Sequence, residues 1–346
     1  MQNLPKVTII TITKNVYDDD RIALFQRCLE SVHAQTYPNI EHIVIDGAST
    51  DGTLTFARRY EEKGWIRVFS QEDDGIDDAY NKGTAKAGGE YLAWMNSDDF
   101  YYDNTAVANA MQALVDEQAD FSYGKQITLD RSGKKVGEFV PRMESFFRDM
   151  PFSHQTLFVR KSVLEALGGY NTDYGFSGDY HLVLQLILND YKGVFVDKYL
   201  SYYTTGGFSC SWDNQYRVHT LTSTLAKRSL AFYRQFYPEM DEDEAQLIYW
   251  RGESCWAYPP LFLQKMIRYM VEKRLTNFDY NAFITYVNGI IESGYRAKDR
   301  QHFITVPAKK SFYLFNALKL LSVEKRPGKT YVRLFGVIPL LKIREK

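Results

Sequence analysis

The sequence lacks three features that would assign it to common protein classes. Within its 346 residues no apolar run approaches the roughly 20 residues of a membrane-spanning helix, and its first residues lack the hydrophobic stretch of a signal peptide. The three cysteines, Cys28, Cys210 and Cys255, show neither a CxxC motif nor a Cys/His metal spacing. No GxGxxG follows the first predicted strand, which argues against a dehydrogenase. These absences predict a cytoplasmic protein in a reducing compartment.

Net charge is also nearly absent, but its distribution is uneven. The chain has 42 Lys plus Arg against 43 Asp plus Glu, and 45% of its residues are hydrophobic, a composition typical of a globular protein. Residues 296–346, however, contain 13 of the basic residues and only 3 of the acidic ones. The two parts of the chain are therefore expected to have different partners.

Strand and helix patterns alternate over the first hundred residues. Short apolar, β-branched runs predict strands, and apolar residues at three- and four-residue spacing predict helices between them. The predicted strands are Val7–Ile12, Glu41–Asp46, Ile66–Phe69 and Glu90–Met95. This alternation indicates an α/β fold with a doubly wound, mostly parallel sheet and a ligand crevice at the carboxyl ends of its strands.

Beyond residue 104 the predicted elements are mixed, and from about residue 216 the pattern is mainly helical. We therefore expect an α/β domain over residues 1–215 and a mainly helical C-terminal region over residues 216–346, with no linker of biased composition between them.

Acidic residues follow the predicted strands, where the crevice should lie. Asp46 ends the second strand, Asp98 and Asp99 follow the fourth, and Asp179 begins a later helix. Any one of these is more typical of a turn or a helix cap. The adjacent pair is different, because two carboxylates at the end of a buried strand repel each other unless a cation compensates. Oxygen ligands without nearby His or Cys suit Mg²⁺ or Mn²⁺.

Six segments carry a resemblance to a known family and occur in its order. They are Val7–Asn15, Ser31–Ile40, Ile43–Thr53, Asp74–Gly83, Gly89–Asp99, and Gly168–Tyr170 with Gly178–Leu182. Together they resemble the inverting family 2 glycosyltransferases, which have the GT-A fold and use nucleotide-sugar donors. The resemblance covers about residues 5–210 and implies little about the remainder.

The resemblance implies a set of donor-binding residues and a metal site. The donor-binding residues would be Thr11, Thr13, Asn15, Asp46, Asp74, Asp78, Asn81, Lys82, Asn96 and Asp98. Lys82 is equally compatible with a solvated lysine on a helix face. The family's DXD element appears as Asn96-Ser97-Asp98-Asp99, so that Asp98 and Asp99 would hold Mn²⁺ or Mg²⁺ against the donor diphosphate. Which of the two carboxylates binds the metal and which contacts ribose is left open.

Asp179 matches the acid that serves as general base in the family. Two neighbours depart from the family pattern, since Gly178 stands where relatives often carry Glu and His181 where they often carry Asp. A purely structural role for Asp179 as a helix N-cap is the alternative. A second group, His154, Gln155, Gly206 and Gly207, resembles loops that line the acceptor or the diphosphate. A histidine before an apolar strand is more often a buried structural residue, and a glycine pair is more often a turn.

The expected activity is transfer of a sugar, most simply from a UDP-sugar, to a glycan or lipid-linked acceptor in bacterial surface polysaccharide biosynthesis. The alternatives are a catalytically inactive nucleotide-sugar or glycan-binding module and, less favoured, a sugar nucleotidyltransferase, which would need a basic rather than an acidic loop after the first strand. The basic and apolar residues of segment 325–346 predict either peripheral attachment at the inner face of the cytoplasmic membrane or packing on the chain's own domain. No motif for nucleic-acid binding accompanies them.

Overall fold

A computed structural model describes the chain over residues 4–17, 21–146, 150–173, 178–207, 234, 275–286, 310–314, 318–326, 329–334 and 338–344. The chain divides into two compact units, Met1–Arg228 and Ser229–Lys346. Cys210, Cys255 and most of the region predicted as helical, residues 216–309, lie outside the described residues.

The first unit begins with the predicted alternation of strands and helices. The elements are β1 (Val7–Thr13), α1 (Ile22–His33), β2 (Ile40–Asp46), α2 (Thr53–Glu62), β3 (Arg67–Ser70), α3 (Ile76–Lys86) and β4 (Tyr91–Trp94). Their four strands are parallel, in the order β3-β2-β1-β4. The register pairs Thr13 with Asp46 and Asp46 with Ser70, so the carboxyl ends of three strands are level.

The chain then adds strands of both directions. The elements are β5 (Phe100–Tyr101), α4 (Ala106–Asp116), β6 (Phe121–Leu129), β7 (Lys135–Phe139), β8 (Phe158–Arg160), α5 (Lys161–Ala166), α6 (Gly178–Leu188) and β9 (Gly193–Thr204). The sheet continues from β4 through β8, β6 and β9 to β5, and β7 pairs with β6. Strands β8 and β5 are antiparallel to their neighbours, whereas β9 is parallel to β6.

Helices cover the parallel part of the sheet because its strands are apolar on both faces. Helix α1 buries Phe25, Cys28, Leu29 and Val32 on one side, which is the three- and four-residue spacing seen in the sequence. Burying such side chains contributes roughly 1.5–3 kcal/mol each. The acidic loops therefore follow strands held in a rigid core.

The described part of the second unit contains an antiparallel sheet that the sequence did not predict. Its strands, in sheet order, are β10 (Lys310–Leu314), β11 (Leu318–Arg326), β12 (Lys329–Leu334) and β13 (Ile338–Arg344). For residues 310–344 the prediction of a mainly helical region is therefore wrong. Alternating apolar and basic residues around the Pro-Gly at 327–328 are a hairpin signal that was overlooked. Residues 280–286 are helical, and no helix among the described residues is long and apolar enough to cross a membrane.

Candidate active site

The carboxyl ends of β1, β2 and β3 form one wall of the candidate site around Asp46. This carboxylate is fully buried, and its Oδ2 accepts hydrogen bonds from Ser70 Oγ at 2.7 Å and Ser49 N at 3.1 Å. Its Oδ1 is also buried and has no partner within the described residues, and the same holds for Thr13 Oγ1 on the neighbouring strand. Buried polar atoms are normally hydrogen-bonded, so these two atoms have hydrogen-bonding capacity that the described residues leave unused.

Two loops close this wall and are joined by Asn15. Its backbone N–H donates to Ser49 Oγ at 2.9 Å, and its Oδ1 accepts from Thr50 N at 2.9 Å. Asn15 has a positive φ of 48°, a conformation that Asn tolerates better than most residues. The structure thus brings the predicted donor residues Thr13, Asn15 and Asp46 together.

Thr11 is fully buried, and its hydroxyl is engaged within the core. Its hydroxyl is 3.0 Å from His42 Nε2 and 3.7 Å from Cys28 Sγ, and all three side chains are buried. Burial raises the pKa of the Cys28 thiol and lowers that of His42 to about 3. The hydroxyl of Thr11 therefore joins a neutral network between β1, β2 and α1.

Three of the predicted donor residues on the segment around α3 contact one another. Asp78 and Lys82 form an ion pair of 2.7 Å, and Asp78 Oδ2 accepts from the Asp74 backbone N–H at 2.9 Å. The hydrogen bond from Lys82 lowers the pKa of Asp78, and Lys82 Nζ also donates to the carbonyl of Glu72. Lys82 is therefore paired and partly buried rather than freely solvated.

Asn81 fixes the turn that follows α5. Its Nδ2 donates to Tyr170 O at 2.7 Å and its Oδ1 accepts from Tyr170 N at 2.8 Å. Gly169, with a φ of +76°, packs against the same amide, and a Cβ at this position would lie 2.6 Å from Asn81 Oδ1. Both ends of the Asn81 side chain are thus used to hold protein backbone.

The acidic pair lies between β4 and β5. Asp99 is fully buried, and its two carboxylate oxygens accept from Gln155 Nε2 at 3.0 Å and from Thr204 N at 2.8 Å. Burial, followed by the neighbouring charge of Asp98, raises the pKa of Asp99 well above its usual value. The Asp98 side chain is 13% exposed, and burial raises its pKa while Arg21 opposes that shift. Of the two, Asp98 has the more accessible carboxylate.

Arginines and a glycine turn surround Asp98. The Arg21 guanidinium, at the start of α1, lies 3.8 Å from Asp98 Oδ2. Arg131, in the β6–β7 hairpin, donates to the carbonyl of Gly206 at 2.6 Å. A Cβ added to Gly207 would lie 2.5 Å from Asp98 Oδ2. The structure thus places the predicted glycine turn directly against the predicted metal acid.

His154 and Gln155, the second predicted loop of the acceptor or diphosphate side, have different surroundings. His154 is buried, its Nε2 lies 2.6 Å from the Tyr170 hydroxyl, and its ring packs against Trp94 and Tyr80. Burial lowers its pKa to about 3, so the imidazole is neutral. Gln155, by contrast, is half-buried and holds Asp99. Of this predicted pair, only Gln155 contacts an acid of the candidate site.

Asp179 lies in the first turn of helix α6, more than a hundred residues along the chain from Asp46 and Asp77. Asp179 is half-buried in the first turn, where its Oδ1 accepts from Tyr180 N at 2.7 Å. Gly178 packs against the carboxyl group of Asp77, at the start of α3, so closely that a Cβ at 178 would overlap both carboxylate oxygens. Two acids from helices far apart in sequence therefore lie close together.

Sequence reasoning missed several residues that the structure adds to this site. They are Arg21, Ser70, Asp77, Gln126, Arg131, Ser153 and Tyr170. Most are recruited by long-range contacts that carry no local signal; Gln126 Nε2, for example, binds Ser153 Oγ at 2.6 Å behind Asp99. Asp77 did have a signal, since it is an acid in the first turn of a predicted helix within a recognised segment.

The donor atoms present suit a hard cation only in part. No group of three or more His, Cys, Asp or Glu side chains that could hold a metal is found among the described residues. The raised pKa values of Asp98 and Asp99 reflect crowded, buried carboxyl groups, which a bound cation would stabilise in their ionised form. Two carboxylates fit Mg²⁺ or Mn²⁺ when substrate phosphates complete the coordination.

Comparison with known proteins gives consistent matches. The model of glycosyl transferase family 2 matches residues 8–168. An uncharacterized glycosyltransferase of Mycobacterium tuberculosis H37Rv is 33% identical over 194 residues, which are 54% of this chain and 71% of that protein. A PGL/p-HBAD biosynthesis glycosyltransferase of the same strain is 29% identical over 213 residues, covering 59% and 79%.

Solved structures share the fold at low sequence identity. A mannosyltransferase from Pyrobaculum calidifontis, in complex with GDP-Man and Mn²⁺, has a TM-score of 0.53 at 20% identity and covers 85% of this chain and 82% of its own. TarS residues 1–349 of S. aureus, in complex with UDP-GlcNAc, have a TM-score of 0.52 at 17% identity and cover 98% and 100%.

The family match and the relatives identify a glycosyltransferase, and the solved structures show that its α/β fold is GT-A-like. Within that class, the chain belongs to glycosyl transferase family 2.

Proposed function

We propose that the protein is a metal-dependent, inverting glycosyltransferase that moves a sugar from a nucleotide-sugar donor to a glycan or lipid-linked acceptor. The observation that carries the proposal is that Asp46 ends β2 and Asp98 follows β4, the two strands that flank β1, and that Asp98 and Asp179 both act electrostatically on the buried Tyr80. A buried acceptor for a base, an acid for a diphosphate-bound cation and an acid for proton transfer are the three functions that such a reaction needs.

The donor is proposed to bind across the ends of β1, β2 and β4. The free Oδ1 of Asp46 would accept an N–H of the nucleobase, and a charged acceptor strengthens that bond. Asp98 would hold Mn²⁺ or Mg²⁺, with Asp99 beside it; when bound, the metal supplies charge stabilisation to the leaving diphosphate. Arg21 and the backbone around Gly207 lie against Asp98, and in this proposal they would contact the same phosphates.

Asp179 is proposed as the general base. It takes the proton from the acceptor hydroxyl while that oxygen bonds to the anomeric carbon. The bond from this carbon to the diphosphate breaks, and its electron pair leaves with the diphosphate oxygen. Attack from the face opposite the leaving group inverts the anomeric configuration.

The variant Asp179→Asn tests this role. Transfer should fall by at least about a hundredfold, because general-base catalysis contributes roughly 10²–10⁴ and no other ionised acid is proposed for the proton. Donor affinity, measured by calorimetry with UDP-sugar and Mn²⁺, should remain within about twofold. Asp116→Asn, on the exposed surface of α4, is the matched control. Full turnover by Asp179→Asn would exclude the assignment.

Donor and acceptor identity are proposed by analogy. Structural neighbours were solved with UDP-GlcNAc and with GDP-Man, and a relative is named for PGL/p-HBAD biosynthesis. We propose a UDP-sugar and an acceptor in surface glycan assembly. A thermal-shift screen of UDP- and GDP-sugars with Mn²⁺ should show stabilisation by one nucleotide class, through preferential binding to the folded state. Stabilisation by GDP-sugars alone would contradict a UDP donor.

An inactive nucleotide-sugar-binding module is the second candidate. Asn96 replaces an acid of the DXD element, and its Oδ1 accepts from the Tyr80 hydroxyl at 2.6 Å, a structural use of this position. Binding of a donor without hydrolysis or transfer, across acceptors of several classes, would favour the module over the enzyme.

The basic segment 325–346 is proposed to attach the protein to the inner, cytoplasmic face of an anionic membrane. The register pairs Lys329 of β12 with Arg326 of β11 and with Arg344 of β13, so three basic positions lie side by side across the strands. Each basic residue near an anionic surface contributes about 1 kcal/mol. Replacing Lys329, Lys342 and Arg344 with Gln should abolish co-sedimentation with anionic liposomes but leave the thermal midpoint unchanged. Equal sedimentation of both proteins would reject attachment.

A further inference from the structure

The carboxyl group of Asp77 is buried in an unusual place for an acid. Asp77 lies in the first turn of α3 and is 5% exposed. Its Oδ2 is buried and has no hydrogen-bond partner within the described residues. An acid in this state is costly unless it is neutral or finds a proton acceptor.

Gly178 makes this arrangement possible. The Asp77 carboxyl group occupies the space that any side chain at 178 would need. The next residue along α6 is Asp179, and its charge is the second cause, after burial, that raises the pKa of Asp77 to about 8. The two acids thus interact across the contact between α3 and the start of α6.

We propose that Asp77 is a positioning residue for Asp179: its carboxyl group donates a hydrogen bond that fixes the ionised Asp179 carboxylate at the start of α6. The inference rests on the proposed function, in which Asp179 is the base. A protonated carboxyl group is a donor as well as an acceptor, so Asp77 can hold a neighbouring carboxylate without adding charge to it.

Three titratable groups within the described ranges face Asp77, and of these the two tyrosines do not change charge. Asp179 faces it from α6, Tyr80 from its own helix, and Tyr170 from the turn after α5. Burial raises the pKa of both tyrosines well above the usual value, so they remain neutral over the working range. Ionisation of Asp77 in alkaline solution would remove the donor and bring a second negative charge next to Asp179.

The first test does not depend on turnover. Carboxyl ¹³C NMR of the full chain should show Asp77 titrating well above the ordinary range of aspartate, and its midpoint should fall in Asp179→Asn because the like charge is gone. A midpoint in the ordinary range, or one that is the same in both proteins, would overturn the inference. This result stands even if the wild type transfers no sugar, so failure of the proposed function is distinguished from failure of the pair.

The second test uses kinetics. Asp77→Ala should lower kcat at least about tenfold while the donor KM changes less than about twofold. Asp77→Asn, which keeps an N–H donor, should retain several-fold more kcat than Asp77→Ala at pH 7. It should also lack the loss of kcat that the wild type shows above about pH 8. Equal alkaline limbs in Asp77→Asn and wild type, or equal kcat in the two variants, would contradict the positioning role.

Discussion

The adjacent acids Asp98 and Asp99 have different surroundings in the candidate site. Asp99 uses both oxygens to hold the loop of Gln155 and the end of β9. Asp98 is more exposed and faces Arg21. Asp99 is therefore the residue that packs the site, and Asp98 is the more accessible of the two proposed metal ligands, although the sequence places them side by side.

This division predicts how Asp98→Asn will behave. Removing its charge should abolish the additional thermal stabilisation that Mn²⁺ gives in the presence of nucleotide, because the second proposed ligand, Asp99, already has both oxygens engaged. Differential scanning fluorimetry with UDP, with and without Mn²⁺, measures this difference. Asp116→Asn is again the control, and an unchanged Mn²⁺ effect in Asp98→Asn would move the metal to another residue.

Gly207 gives a steric prediction at the same place. A methyl group at this position would lie 2.5 Å from Asp98 Oδ2, too close for a normal contact, so the turn or the carboxylate must move. We expect Gly207→Ala to lower kcat/KM at least about tenfold, since misplacement by about 1 Å can cost a hundredfold. Gly137→Ala is the matched control, because a Cβ there meets nothing closer than 3.8 Å. Wild-type kcat/KM in Gly207→Ala would show that this turn does not approach the donor.

At the scale of elements, helix α3 joins the parallel sheet to the turn that precedes α6. Asn81 is the link, since its amide binds both the N–H and the carbonyl of Tyr170. Asn81→Ala should cost about 1–3 kcal/mol in the free energy of unfolding, because two partly buried backbone groups lose their partners. Chemical denaturation measures this loss. Gln112→Ala, on the exposed face of α4, should cost under about 0.5 kcal/mol; equal losses in the two variants would show that the link carries no special stability.

Elements whose signal is local could be predicted, whereas contacts between elements could not. The periodicity around Phe25 and Leu29 predicted α1, and the run ending at Asp46 predicted β2, because burial of one face leaves a pattern in the sequence. The contact of Asp77 with Gly178 joins residues a hundred positions apart and leaves no such pattern. The sequence predicted which residues belong to the candidate site. Which of them contact one another could be seen only in the folded structure.

At the scale of the whole molecule, the two parts of the chain differ in how well their secondary structure could be predicted from sequence. The first part contains six segments in family order, and their elements follow the predicted alternation. The strands from residue 310 onward lie in a region that was predicted to be mainly helical. Basic residues among leucines resemble an amphipathic helix as much as an alternating strand. The β-branched residues of the segment, such as Val323 and Val332, favour the strand.

Two buried histidines make the stability of the first part sensitive to acid. His42 and His154 have their pKa lowered to about 3 by burial, against about 6.5 in an unfolded chain. Between these values the unfolded state binds protons that the folded state does not, so stability is lost as the pH falls from about 6.5 towards 3. Each imidazole contributes a slope of up to about 1.4 kcal/mol per pH unit.

The raised pKa values of Asp77 and Asp99 act in the opposite direction, since the folded state keeps protons that the unfolded state releases. The pH dependence of the wild-type free energy of unfolding is therefore the sum of the histidine and aspartate effects. The contribution of one histidine is obtained by comparing the wild type with a variant that lacks it. We expect the free energy of unfolding of His42→Gln, subtracted from that of the wild type at each pH, to give a difference that shrinks steadily from pH 6.5 to pH 4. Urea denaturation over this range measures it, with Gln112→Ala on the exposed face of α4 as the control. The substitution removes a titrating group as well as a packed ring. A difference in the free energy of unfolding that is constant with pH would show that His42 is already protonated in the folded protein or exposed to solvent. Either result would contradict its burial beside Thr11.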